Sequence, residues 1–122
     1  MPIVDVEFVR SSAQAAVLPS ASSLAAAIGH ALGTPAGRTW VRVRTLDAAC
    51  YAENESPLSA SELPVFVTVL HAHLPASSEL TAEVNLLTQA VASCCGCQVE
   101  RVHVQYAPAA AGRQAFGGSL VK

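Results

Sequence analysis

The sequence is short of charge. Only 13% of its 122 residues are Asp, Glu, Lys or Arg, the formal net charge is −2, and no basic stretch occurs. Nucleic acid and anionic membrane surfaces are therefore not expected as partners, because both call for a concentrated positive field. Long apolar runs are missing too. The apolar fraction is 52%, but Ala supplies much of it, and no stretch approaches the roughly 20 residues of a membrane span. The acidic start does not read as a signal peptide, so a cytoplasmic location is expected. The cysteines offer neither a disulfide framework nor zinc-site spacing. Cys50 stands alone, and Cys94, Cys95 and Cys97 crowd into four residues. Reduced thiols and no metal are the expectation.

What is present is patterned. A chain of this length forms one domain, residues 1–122, with room for a hydrophobic core. Met1 is followed by Pro2 and then Ile3-Val4-Asp5-Val6-Glu7-Phe8-Val9. The alternation predicts a half-buried strand, with Val4, Val6 and Phe8 on one face and Asp5, Glu7 and Val9 on the other. Removal of Met1 would leave Pro2 as a free secondary amine at the strand tip. Such an amine titrates at roughly 7.7–8.0 when unperturbed, and burial lowers that value toward neutrality. A general base is thereby available.

Arg10 to Leu18 reads as a loop. Pro19-Ser20-Ala21-Ser22-Ser23 is a helix entry rich in capping hydroxyls. Leu24, Ile28, Ala31 and Leu32 follow at helical spacing, and Gly33 closes the helix. Thr39 to Leu46 alternates as a second strand, and a mixed polar stretch runs from Asp47 to Leu63. The pattern then repeats. Pro64 opens the strand to Leu70, whose near-continuous apolar character suits burial on both faces. Pro75 to Glu79 enters a second helix with a stripe of Leu80, Val84, Leu87, Val91 and Cys94, closed by Gly96. Val99 to Tyr106 is the fourth strand. Pro2 and Pro64 are 62 residues apart and Gly33 and Gly96 are 63 apart. The halves, about 2–63 and 64–122, are thus two β-α-β units. Each places its strands parallel with the helix on one face. Together they predict an α+β fold, a four-stranded sheet with two helices on one face. The bare face invites further copies of the chain in closed cyclic association.

The Met-Pro-Ile start, the two β-α-β halves and the segment Gly112-Arg113-Gln114-Ala115-Phe116-Gly117-Gly118 together resemble the tautomerase superfamily over the whole chain. Its short members, like 4-oxalocrotonate tautomerase, are single β-α-β chains. Its long ones, such as macrophage migration inhibitory factor and malonate semialdehyde decarboxylase, carry two units. The resemblance implies a homotrimer with sites at subunit boundaries and no cofactor. It also implies Pro2 as general base for keto–enol tautomerisation of a small 2-oxo, 2-hydroxydienoate or enolpyruvate-type carboxylate. His103 stands where the inhibitory-factor type has a tyrosine that reaches a neighbouring subunit's proline, and where the short type has an arginine. Gln105 stands at an asparagine position, and Phe116 matches the aromatic wall of the site. Arg42 matches the short type's substrate arginine, with Arg44 on the same strand face. His73 falls near a pocket-lining position, and His71 shares its face. Arg113 is our own choice for a carboxylate, from its place beside Phe116.

Tyr106 to Lys122 contains no Asp or Glu, which disfavours the dehalogenase-like route through a water-activating acid. Tyr51 and Asn54, in the loop joining the halves, border a neighbouring site or are simply loop polarity. Two alternatives stand beside tautomerisation. One is Pro2-dependent decarboxylation or hydration of a 3-oxo or unsaturated acid. The other is a non-catalytic trimeric module that binds small acids.

Overall fold

The computed structural model describes residues 1–13 and 17–122. The expected Arg10–Leu18 loop therefore includes three positions, 14–16, outside the described residues. In chain order the elements are β1 (Ile3–Arg10), α1 (Ala21–Leu32), β2 (Trp40–Asp47), β3 (Val65–Leu70), α2 (Ser77–Cys95) and β4 (Val102–Tyr106), followed by a small hairpin of β5 (Ala115–Phe116) and β6 (Ser119–Leu120). The main sheet has the order β2-β1-β3-β4. β1 runs parallel to β2 and β3 parallel to β4, while the central pair β1–β3 is antiparallel. The two β-α-β units are thus joined edge to edge across a pseudo-twofold axis. Val6 and Val67, paired across β1 and β3, lie beside that axis.

Local chemistry marks the start of α1 and the ends of both helices, whereas α2 starts after Ala76 without a side-chain cap. The Ser20 hydroxyl accepts from the Ser23 N–H at 3.0 Å and caps α1. Gly33 and Gly96 adopt φ of 66° and 67° at the helix ends, a left-handed conformation that costs other residues roughly 1–2 kcal/mol. Their N–H groups return to carbonyls of the last turn.

One sheet face carries Val4, Val6 and Phe8 from β1 and Val65, Val67 and Val69 from β3. Leu24 and Ile28 of α1 and Leu87 and Val91 of α2 seal it. Each such side chain contributes about 1.5–3 kcal/mol relative to exposure. The i, i+4 spacing of the helical pairs brings them onto one stripe.

Three expectations need correction. β3 is buried on one face only within the chain: Phe66, Thr68 and Leu70 are half-exposed on the open side. Val9 is buried, not solvent-facing, because its N–H bonds the Pro64 carbonyl at 3.2 Å where the Leu63–Pro64 segment meets the strand end. The fourth strand starts at Val102. Val99–Arg101 is instead a 3-10 turn, closed by Arg101 N–H to Gln98 and anchored by the Arg101 guanidinium on the Glu62 carbonyl.

Candidate active site

Pro2 begins the central strand and is fully buried in this chain. Its position parity puts it on the helix-facing side with Val4 and Val6. Its carbonyl accepts from the Trp40 N–H at 3.1 Å, which ties the start of β1 to the start of β2. A proline costs no ladder bond at the first position of a strand, so this location is structurally free. Trp40 is half exposed, and its ring meets the ring of Phe116 edge-on at 5.0 Å with an interplanar angle of 79°. Phe116 reaches it because the β5–β6 hairpin folds back at Gly117 and Gly118, both at positive φ. The predicted aromatic wall therefore stands beside Trp40 at the Pro2 end of the sheet.

The same end collects the C-terminal segment. The N–H groups of Ala110 and Ala111 bond the carbonyls of His71 and Ala72, and His73 Nε2 donates to the Lys122 main-chain oxygen at 3.0 Å. Arg113 lies in the turn built on Ala110 and is exposed. Arg38, which sequence reasoning did not single out, is exposed two residues before Trp40.

A second group was also missed. Glu83 of α2 accepts from His71 Nε2 at 2.9 Å and from the Tyr106 hydroxyl at 2.7 Å, both on Oε2. The His71 and Tyr106 rings stack at 5.9 Å, 13° from parallel. A carboxylate only accepts, so Nε2 is the protonated nitrogen. Burial, reinforced by the bond to Glu83, pushes the Tyr106 phenol above its ordinary range, so it donates throughout neutral pH. A signal for Glu83 exists in the sequence. It stands four and eight residues before Leu87 and Val91, a carboxylate on the buried stripe.

The remaining candidates occupy the open face of the sheet. Arg42 grips Asp5 through two bonds, Nε to Oδ1 at 2.6 Å and a terminal nitrogen to Oδ2 at 2.9 Å, and Arg44 stands 3.9 Å from the same carboxylate. Hydrogen bonding to Asp5, then its charge, raises the Arg42 guanidinium above its ordinary value. Arg42 is 68% exposed, and water screens surface pairs of this kind so that they add little to stability. His103 lies against Phe66 at 5.6 Å, and Tyr51 covers the same ring at 5.7 Å. The Tyr51 hydroxyl donates to Glu53, and that bond pushes the phenol's pKa above its ordinary value. Asn54, the other loop residue weighed from the sequence, is exposed in the turn closed by the Glu53–Ser56 bridge. Gln105 is exposed beside Thr68.

Through Phe66, His103 is level with Glu7. That is roughly 16 Å along the strand from Pro2, at about 3.3 Å per residue, and on the opposite face. One chain therefore brings Pro2, Trp40, Phe116, His71, His73 and Arg113 to one end of the sheet. His103 and Gln105 lie away from that end.

Among the described residues no cluster of three or more His, Cys, Asp or Glu could hold a metal, and no helix is long and apolar enough to cross a membrane. A cleft of about 330 Å3 opens at the other end of the sheet, lined in part by Phe8, Leu63, Val65, Cys95 and Cys97.

No protein-family model matches the chain, and no curated protein does. Solved structures do. A fused 4-OT in a symmetric trimer superposes with a TM-score of 0.72 at 15% identity, covering 98% of this chain and 94% of that one. Macrophage migration inhibitory factor from Oncomelania hupensis gives 0.71 at 19% identity, over 99% and 82%. FG41 malonate semialdehyde decarboxylase, inhibited by 3-bromopropiolate, gives 0.64 at 16%, over 94% and 90%. The four-stranded mixed sheet under two helices is thus the fold that these fused 4-OT, inhibitory-factor and decarboxylase structures share.

Proposed function

We propose that the protein is a cofactor-free tautomerase in which Pro2, freed by removal of Met1, is the general base. The observation that carries this reading is the placement of Pro2 itself. It is buried at the start of the central strand, its carbonyl bonded to the Trp40 N–H, at the end of the sheet where the Trp40–Phe116 pair and the Arg113 turn also lie. Burial disfavours the ammonium form of a secondary amine and gives it a lone pair near neutral pH. That lone pair takes the enol O–H proton of a 2-oxo acid's enol tautomer and returns a proton to the adjacent carbon, leaving the ketone. Arg113, Arg38 or His73 would hold the substrate carboxylate, and Phe116 would wall off water.

The assembly belongs to the same proposal. The open face presents Trp40, Ile3 and Leu70 in one row, Arg42, Asp5, Thr68 and Gln105 in the next, and Arg44, Glu7, Phe66 and His103 in the third. A homotrimer would cover these rows. It would also bring His103 and Gln105 of one subunit toward Pro2 of another, which their distance within one chain prevents.

The test is ketonisation of phenylenolpyruvate, followed in the ultraviolet, with processed wild type beside Pro2→Ala. Turnover that the substitution abolishes establishes the proline as the base. Equal weak rates overturn the reading, and so does an intact mass that retains Met1 in the native host.

A further inference from the structure

The Glu83–His71–Tyr106 cluster has no part in the chemistry above, yet its position is specific. The antiparallel β1–β3 ladder ends with Ile3 opposite Leu70, and carrying that register one residue further sets Pro2 opposite His71. Both fall on the helix-facing side by parity, and residues so paired have Cα atoms roughly 4.5–5.5 Å apart. The Glu83 carboxylate is therefore linked to the Pro2 position through one imidazole, which it holds from the β4 side together with Tyr106. Its side chain and that of His71 are only 15% and 13% exposed, against 68% and 64% for the arginines paired with Asp5.

At the other end the Pro64 carbonyl accepts from the Val9 N–H, and by alternation that pair falls on the opposite side of the sheet from Pro2 and His71, so the repeat does not carry this cluster over. For stability alone an apolar trio would serve as well, because a half-buried charged network is costly to desolvate.

We propose that Glu83, clamped by His71 and Tyr106, is a positioning residue that sets the ionisation of the Pro2 amine. This rests on the proposed role of Pro2. The carboxylate favours the ammonium form and so offsets part of the lowering that burial imposes. The other titratable or charged groups at this end are His30 from the last turn of α1, His71 and His73 from the segment after β3, Glu79 from the first turn of α2, Tyr106 from β4, Arg38 from the turn before β2, and Arg113 and Lys122 from the C-terminal segment. Asp5 lies on the opposite face of the sheet.

The experiment uses the processed full-length chain labelled with 15N-proline. Six of its seven prolines are amides, so a single titrating 15N signal reports the Pro2 amine. Glu83→Gln keeps an acceptor for both His71 and Tyr106 while removing the charge. It should lower the Pro2 midpoint by on the order of one pH unit. Glu83→Asp, which keeps the charge, should return most of that shift. Glu79→Gln, one helical turn earlier and exposed, should leave the midpoint in place. A Glu83→Gln midpoint equal to wild type, or a Glu79→Gln shift of the same size, overturns the inference and leaves the role of Pro2 standing. Absence of any titrating proline signal overturns both.

Discussion

The two ends of the sheet are built from the same repeat and differ in what surrounds the proline. At one end Pro2 is fully buried, its carbonyl is held by Trp40, and its cross-strand neighbour belongs to a hydrogen-bonded trio. At the other, Pro64 is equally buried and its carbonyl is held by Val9, and the cleft at that end is lined by Phe8, Leu63, Val65, Cys95 and Cys97 together with Arg10, Ser61 and Gln98. There burial, with the nearby Cys97 and Cys94, pushes the Cys95 thiol up to about 12. At each end a proline carbonyl receives a neighbouring strand's N–H, from parallel β2 at Pro2 and from antiparallel β1 at Pro64. The Glu83–His71–Tyr106 cluster sits at the Pro2 end.

The sharpest break in the comparison is at the prolines. Pro2→Ala should lower kcat/KM for phenylenolpyruvate by at least about a hundredfold, the scale of a lost general base. Pro64→Ala, at the matching position, should leave kcat/KM within about threefold, since an internal amide has no basicity to lose.

Exchanging the neighbours comes next. His71→Val gives the Pro2 end the residue type of the other end and leaves Glu83 with one partner fewer. A cost of about 1–3 kcal/mol in urea denaturation is expected, the usual size for a part-buried polar group left unpaired. Val6→Ala and Val67→Ala sharpen the symmetry itself. The two side chains are paired beside the pseudo-twofold axis and both are fully buried. Each should cost about 2 kcal/mol, and a large inequality would show that one half carries the core.

The smallest effect concerns the thiols. The Cys95 value is raised in the folded chain, so its stabilising contribution is complete below the unfolded-state value near 8.5. That contribution is lost as pH rises through the range up to about 12. Exposed Cys50 should react with iodoacetamide at pH 8 well before Cys95, as mass mapping would show.

Much of the fold was legible because its signals are local. Ser20, Gly33 and Gly96 mark helix ends through their own hydrogen bonds and dihedral angles, and the alternation in β1 marks its buried face. The proline-to-proline offset announced the repeat. What was not legible depends on register between distant segments. Val9 looks outward by alternation, and only the β1–β3 pairing reveals Pro64 across from it. His71 and Tyr106 are ordinary residues near strand ends until α2 places Glu83 between them. The Arg42–Asp5 pair sits between these cases. Acids at 5 and 7 face bases at 42 and 44 once β1 and β2 are known to be parallel, and both alternations are visible in the sequence. Arg42 is engaged by Asp5 within its own chain, which is a reason to look to Arg38 and Arg113 first for a substrate carboxylate.

Trp40 is the only tryptophan in the chain. It is anchored through its N–H to Pro2 and through its indole N–H to Gly37, with Phe116 against its ring. Its fluorescence is therefore a built-in optical gauge of this end of the sheet alone. Anything that lifts the C-terminal hairpin, fills the space beside Pro2 or presses another subunit onto the open face alters the polarity around one fluorophore. Occupancy of that end can be read without a label, while events at the Pro64 end stay dark.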